Sequence, residues 1–208
     1  MFVWPLRATL ALIATLLPAT WLHAALSTPG EPPARSSLVG QLLVASPTMG
    51  DPRFDRTVIL IVQHSQDGAL GLVINRSLGE RPLASILRIL GEKDNSVSGS
   101  MRVLAGGPVQ PQIGFVIHST DYRRAETVDV DGRVAVTSTA EILRDIGHNK
   151  GPKKSLVAFG YAGWGRGQLE SELEAGAWFV APEEPELIFD EDRDKLWERA
   201  MSRRTRDL

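Results

Sequence analysis

The sequence predicts a mixed α/β (α+β) domain built around one sheet, on three observations. Two Asp-Gly pairs, Asp67-Gly68 and Asp131-Gly132, each stand between runs of apolar or alternating residues, which is the pattern of a β-hairpin. Short segments with apolar residues three and four apart are interspersed among these strands, as amphipathic helices require. Strand and helix do not alternate regularly along the chain, which argues against a parallel doubly wound sheet. The 208 residues, 43% hydrophobic and 23% charged, have the composition of one ordinary globular domain. There is no cysteine, so disulfides, thiol nucleophiles, thiolate zinc sites and iron–sulfur clusters are excluded. A formal charge of −2 gives no general attraction to nucleic acid.

Taken in order, "GQLLVAS" (40–46) is a first strand, and residues 58–62 are an apolar run expected to be buried on both faces. "SQDG" then turns this strand into the next. "RPLASILRILG" carries apolar residues at 83, 86, 87 and 90, one helical face that ends at Gly91. After the polar loop "EKDNSVSGS", residues 101–105 and 114–118 read as strands around "GGPVQPQ". "ETVDVDGRVAVTS" is the second hairpin, and "STAEILRDIGHN" a short helix with a Ser or Thr cap and Glu141 close behind. "SLVAFGYAG" is a strand, "GQLESELEAGAW" a helix, "WFVAP" and "LIFD" short strands, and "RDKLWERAMSR" a terminal helix.

The first 24 residues hold one charge, Arg7, followed by an apolar run, residues 8–24, without an ionised side chain. This is the layout of a secretory signal, with a cut after Ala24 or Ala25, or of an uncleaved N-terminal anchor. Residues 25–37, rich in Pro, Ser and Gly, read as a linker, and 38–208 as a single folded domain. The expected location is therefore periplasmic or secreted, with the cytoplasm as the alternative if the start site is wrong. Contact with a membrane is expected only through the N-terminal segment.

Three blocks resemble the signatures of the AlgH/YqgE family of bacterial proteins: "GQLLVASPTMGDPRFDRTVILIVQHSQDGALGLVINR", "LAGGPVQPQIGFVIHS" and "GYAGWGRGQLESELEAGAW". They occur in the family's order and span about residues 38–189. The resemblance implies a bifurcated, barrel-like sheet with flanking helices and no established biochemical activity. Members are often labelled transcriptional regulators, from a link to alginate control. The N-terminal extension departs from the family, whose members are generally cytoplasmic and start near the first strand.

The residues themselves offer few sites. Gly160, Gly163, Gly165 and Gly167 precede a helix, yet no Lys-Ser/Thr pair follows, and Glu170, Glu172 and Glu174 would repel a phosphate. The expected role is a strand-to-helix turn that lets Trp164 and Leu169 pack, with Arg166 and Gln168 at its rim. His64, His118 and His148 have no metal-ligand spacing; the first two read as capping or partly buried histidines. Asp51 and Asp55 form a carboxylate pair with no nucleophile or base nearby, and there is no G-x-S-x-G elbow. Gly106 and Gly107 in "GGPVQPQIGF" allow close approach of the backbone to a ligand or to another strand, and Gln110 and Gln112 offer neutral hydrogen bonds. The basic tail "SRRTRDL" reads as a solvated end, and "AEILRDIGHNKGPKKS" fails as a helix-turn-helix because a strand follows it. The candidate ligand or partner surface is thus Asp51, Asp55, His64, Gly106, Gly107, His118, Gly163, Trp164, Arg166 and Gln168. No cofactor or metal is expected. The readings that remain are a non-catalytic binding or regulatory domain of the cell envelope with an unknown protein or small-molecule partner, a cytoplasmic regulator, or a hydrolase with an unrecognised site. Binding of nucleic acid is not expected.

Overall fold

The computed structural model describes residues 37–94, 96–189 and 192–205. The expected N-terminal signal or anchor and nearly all of the expected linker lie outside the described residues. The strands are β1 (Leu42–Ala45), β2 (Val58–Ser65), β3 (Gly68–Val73), β4 (Ser77–Pro82), β5 (Ser100–Ala105), β6 (Val109–Ser119), β7 (Val128–Asp129), β8 (Val134–Thr137), β9 (Ser155–Gly165) and β10 (Trp178–Ala181). The helices are α1 (Leu83–Ile89), α2 (Ala140–Gly147), α3 (Gln168–Glu174), α4 (Pro185–Phe189) and α5 (Leu196–Ser202). The sheet runs β10-β1-β2-β3-β9-β6-β8-β7, with β5 paired to β9 and β4 to β5. Every pairing is antiparallel except β5 with β9. The result is a mixed α+β fold whose sheet curls into a half-barrel.

Alternation along each strand sorts the side chains into two sets. On β2, Val58, Leu60 and Val62 face the barrel interior with Leu42, Val44, Leu72, Ile117 and Leu156. Ile59 and Ile61 face the other way, beneath Leu169 of α3 and beside Trp164 and Trp178. The uninterrupted apolar run at 58–62 is thus buried on both faces, as its pattern requires. In the other half of the sheet, Val103, Val116, Val157 and Phe159 pack under α1 and α2. Leu187 and Ile188 of α4 and Leu196 and Ala200 of α5 join the interior cluster.

Several elements differ from expectation. "LIFD" is not a strand: its first three residues close α4, where Pro185 takes the first helical position with its ring-fixed φ and Glu186 complements the helix N-terminus. Three apolar letters carry no period, and the proline before them is the better guide. Strand β4, in "SLGERP", was not anticipated; it is exposed along its whole length and is held by its pairing to β5. Strand β6 begins at Val109, five residues before the expected Gly114. Helix α2 has Thr139 at its N-cap, but the hydroxyl makes no capping bond.

The two glycine-rich blocks are explained by one crossing. Val109 lies opposite Tyr161 and Gly114 opposite Phe159, so residues 110–113 of β6 bulge out across from Gly160. A Cβ on Gly160, at φ +74, would stand 2.4 Å from the Gly107 carbonyl oxygen, and one on Gly106 would stand 2.4 Å from the Gly160 oxygen. Two backbones pass where neither can carry a side chain.

Candidate functional site

At the β2–β3 turn the half-barrel is open, and a groove of about 730 Å³ lies there. Its apolar wall is Val39, Val62, Leu70 and Tyr161, all packed against the interior cluster, with Val109 from the start of β6. Gln63, His64, Ser65, Asp67, Gly163 and Trp164 complete it. The local sequence dictates this mouth. Gln66 and Asp67 make the tight turn one residue before the expected pair, and Gly68, which opens β3, lies so close to β9 that a Cβ would meet the Trp164 carbonyl oxygen at 2.1 Å. The groove thus opens onto the ends of β2, β3 and β9 at the point where β6 bulges away.

Its polar groups are mostly committed. The Leu38 N–H donates to His64 Nδ1 at 3.0 Å, so His64 carries its proton on Nε2 and donates it to Glu170 Oε1 at 2.8 Å. The imidazole therefore fixes where the chain enters β1 and ties α3 to β2. Arg166 donates to Asp67 at 2.5 Å, in a pair exposed on both sides. Glu172 Oε2 accepts both indole N–H groups, from Trp164 at 2.9 Å and Trp178 at 2.8 Å, while Oε1 accepts from Gln168 at 2.9 Å. Gln168 Oε1 in turn accepts the Gly165 N–H at 3.1 Å. Glu170 and Glu172 of α3 and the exposed Arg166 are thus paired within the chain, and the turn is built as architecture. Gly167, at φ +70, is the N-cap of α3.

Two groove residues keep free polar atoms. The Tyr161 phenol has no hydrogen-bond partner among the described residues; its ring meets Phe115 edge-on at 6.1 Å. The Gln63 amide likewise faces the groove without a partner among the described residues.

The other sequence candidates lie elsewhere. Asp51 accepts from Arg53 in a tight local pair, side chain and backbone, and those bonds hold its carboxyl below the usual range. Asp55 supplies its backbone oxygen to Arg76 at 3.2 Å, and the two aspartates meet no imidazole. His118 is fully buried. Its Nδ1 donates to the Ser119 carbonyl at 2.9 Å, and Nε2 accepts from Thr137 at 2.9 Å, which in turn lies 2.8 Å from Thr127. Burial pushes the imidazole below its ordinary value, against the opposing Ser119 bond and Asp121 charge. Gly106 and Gly107 serve the backbone crossing. Of the ten sequence candidates, then, His64, Gly163 and Trp164 line the groove, with Arg166 and Gln168 beside it. Sequence reasoning missed Val39, Gln63, Asp67, Leu70, Val109 and Tyr161. A usable signal was the alternation of "FGYAGWG", which puts Tyr161 on the face opposite Trp164's neighbour Ala162. Among the described residues no group of three or more His, Cys, Asp or Glu could hold a metal ion.

A model of the AlgH-like family matches residues 42–208. The chain belongs to this family. Among its relatives are UPF0301 proteins of Methylobacterium nodulans, 42% identical over 83% of this chain and 86% of that protein, and of Rhodospirillum rubrum, 42% identical over 80% and 86%. The solution structure of AlgH from Pseudomonas aeruginosa superposes with a TM-score of 0.68 at 35% identity, covering 84% of this chain and 92% of that one. A crystal structure from Corynebacterium diphtheriae gives 0.61 at 25% identity, covering 85% and 90%. The half-barrel is thus that of AlgH, and the functional assignment it carries is that of an uncharacterised family.

Proposed function

We propose that this AlgH-like protein is a non-catalytic binding domain of the cell envelope, and that the barrel-mouth groove takes a small, neutral, largely apolar molecule. The observation that carries the reading is the groove itself: an apolar wall continuous with the barrel core, of a volume typical of small-molecule sites, holding a few polar groups. Those polar groups set the ligand class. The imidazole is engaged at both nitrogens and the carboxylate at the rim is neutralised by Arg166, so the phenol of Tyr161 and the amide of Gln63 are what a ligand can bond. Both are uncharged, which favours a neutral head group over an anion. The envelope part of the proposal rests on the apolar residues 8–24 of the sequence.

Nile red, neutral and apolar, tests the groove. Its fluorescence should rise on mixing with the protein, and Val109→Lys, which plants an ammonium in the mouth at a position already half exposed, should lower its affinity at least tenfold. An equal rise with Val109→Lys, or a preference for an anionic naphthalene sulfonate, would refute the assignment.

A further inference from the structure

The strand order leaves the sheet with β10 at one end and the β7–β8 hairpin at the other. These ends meet through side chains. Asp131, in the β7–β8 turn, and Glu183, two residues beyond β10, share the guanidinium of Arg133, whose Nη2 is 2.9 Å from Asp131 Oδ2 and 3.0 Å from Glu183 Oε2. Gly40, just before β1, completes the seam: its φ is +82, and a Cβ there would lie 2.7 Å from Asp131 Cβ. Asp131 also accepts the backbone N–H groups of Arg133 at 3.0 Å and Val134 at 3.1 Å. Glu183 is fully buried, and neither of its oxygens accepts a well-formed hydrogen bond.

One half-exposed guanidinium does not compensate two carboxylates when one of them, Glu183, has no access to water. Asp131, with two backbone donors, is the better-solvated anion, so the proton resides on Glu183. We propose that this seam is a proton-dependent latch: one proton shared by Glu183 and Asp131 holds the two ends of the sheet together, and its loss loosens them. The titration of the pair agrees with the geometry. Burial, then the bond and charge of Asp131, push Glu183 up to about 8, with Arg133 opposing and Glu186 of α4 adding to the rise. Asp131 is lowered: burial acts upward, but Glu183, the two backbone N–H groups and Arg133 outweigh it. Glu184, the remaining neighbouring acid, is paired with Arg203 of α5 at 3.1 Å.

The sign follows from proton counting. Between the ordinary glutamate value and about 8 the folded state holds a proton that the unfolded chain has lost, so stability falls as pH rises through this window, by at most tenfold in the unfolding constant per pH unit. The test is chemical denaturation of the full chain and of Glu183→Gln from pH 7 to 9, above the ordinary titration of histidine. The wild type should lose stability up to about pH 8 and then level off, while Glu183→Gln, whose amide keeps a donor toward Asp131 and cannot ionise, should show no such slope. Amide protection at Val130, which donates to the Val134 carbonyl at 2.9 Å, should fall above pH 8 in the wild type alone. Equal slopes in both proteins would overturn the latch. If Glu183→Gln fails to fold, the wild type decides: unchanged Val130 protection and untitrated Arg133 and Val134 amide shifts across pH 7–9 would overturn it.

Discussion

Replacing Gly160 with Ala tests whether the glycine-rich blocks are architecture. The residue sits at φ +74, where a side chain costs roughly 1–2 kcal/mol. Its Cβ would also lie 2.4 Å from the Gly107 oxygen, 2.9 Å from the Val109 oxygen and 3.3 Å from Pro111 Cα, all backbone atoms that no rotamer change can move. Overpacking of this kind adds about 1–3 kcal/mol, so Gly160→Ala should destabilise the fold by about 2–5 kcal/mol. Gly167→Ala is the control. It shares the left-handed conformation, at φ +70, but nothing lies within 4 Å of the added Cβ, so the cost should be confined to about 1–2 kcal/mol. Urea denaturation of both variants separates the conformational from the steric cost. Equal losses at the two positions would refute the backbone crossing as the reason for these glycines.

Trp164→Ala should cost about 3–5 kcal/mol by the same assay, because it empties the space between Leu169 and Trp178 and leaves Glu172 with one indole donor fewer. Arg166→Ala should change stability by less than about 1 kcal/mol, since its pair with Asp67 is open to solvent, and should leave the protein without any nucleotide-dependent rise in melting temperature to lose. His118 contributes in acid: its folded value is lowered, so the unfolded chain takes up its proton first. Stability from this group is full above the ordinary histidine value and is lost as pH falls below it, by at most about 1.4 kcal/mol per unit. His118→Gln should remove that part of the acid sensitivity in a denaturation series from pH 7 to 5.

The legible parts of this fold are those whose cause is local. Both Asp-Gly pairs mark a hairpin within one residue, although Gly68 is already the first residue of β3, so the tight turn is Gln66-Asp67, and the second loop is residues 131–133, closed by Val130 and Val134; the spacing of Leu83, Ile86 and Leu87 is enough to place α1. Strand β4 shows the opposite case: "SLGERP" has no buried side chain, and it is a strand because β5, some twenty residues further on, offers it a ladder. The same distance in sequence hid the groove. Val39, Leu70, Val109 and Tyr161 are ordinary apolar or aromatic residues in four separate segments, and the curl of the sheet brings them to one mouth. The charged seam was hidden for the same reason, since Asp131 reads as a turn residue and Glu183 as surface until the two ends of the sheet meet.

The central claim, that the barrel mouth is the binding site, is tested most directly by methyl NMR of the full chain during titration with a neutral apolar ligand such as Nile red. Methyl groups of Val39, Val62, Leu70 and Val109 should shift together along one saturation curve, while Leu143 of α2, buried under the far half of the sheet, stays still. Saturable shifts centred on α2 or on residues 51–56, with those four groups unmoved, would contradict the account.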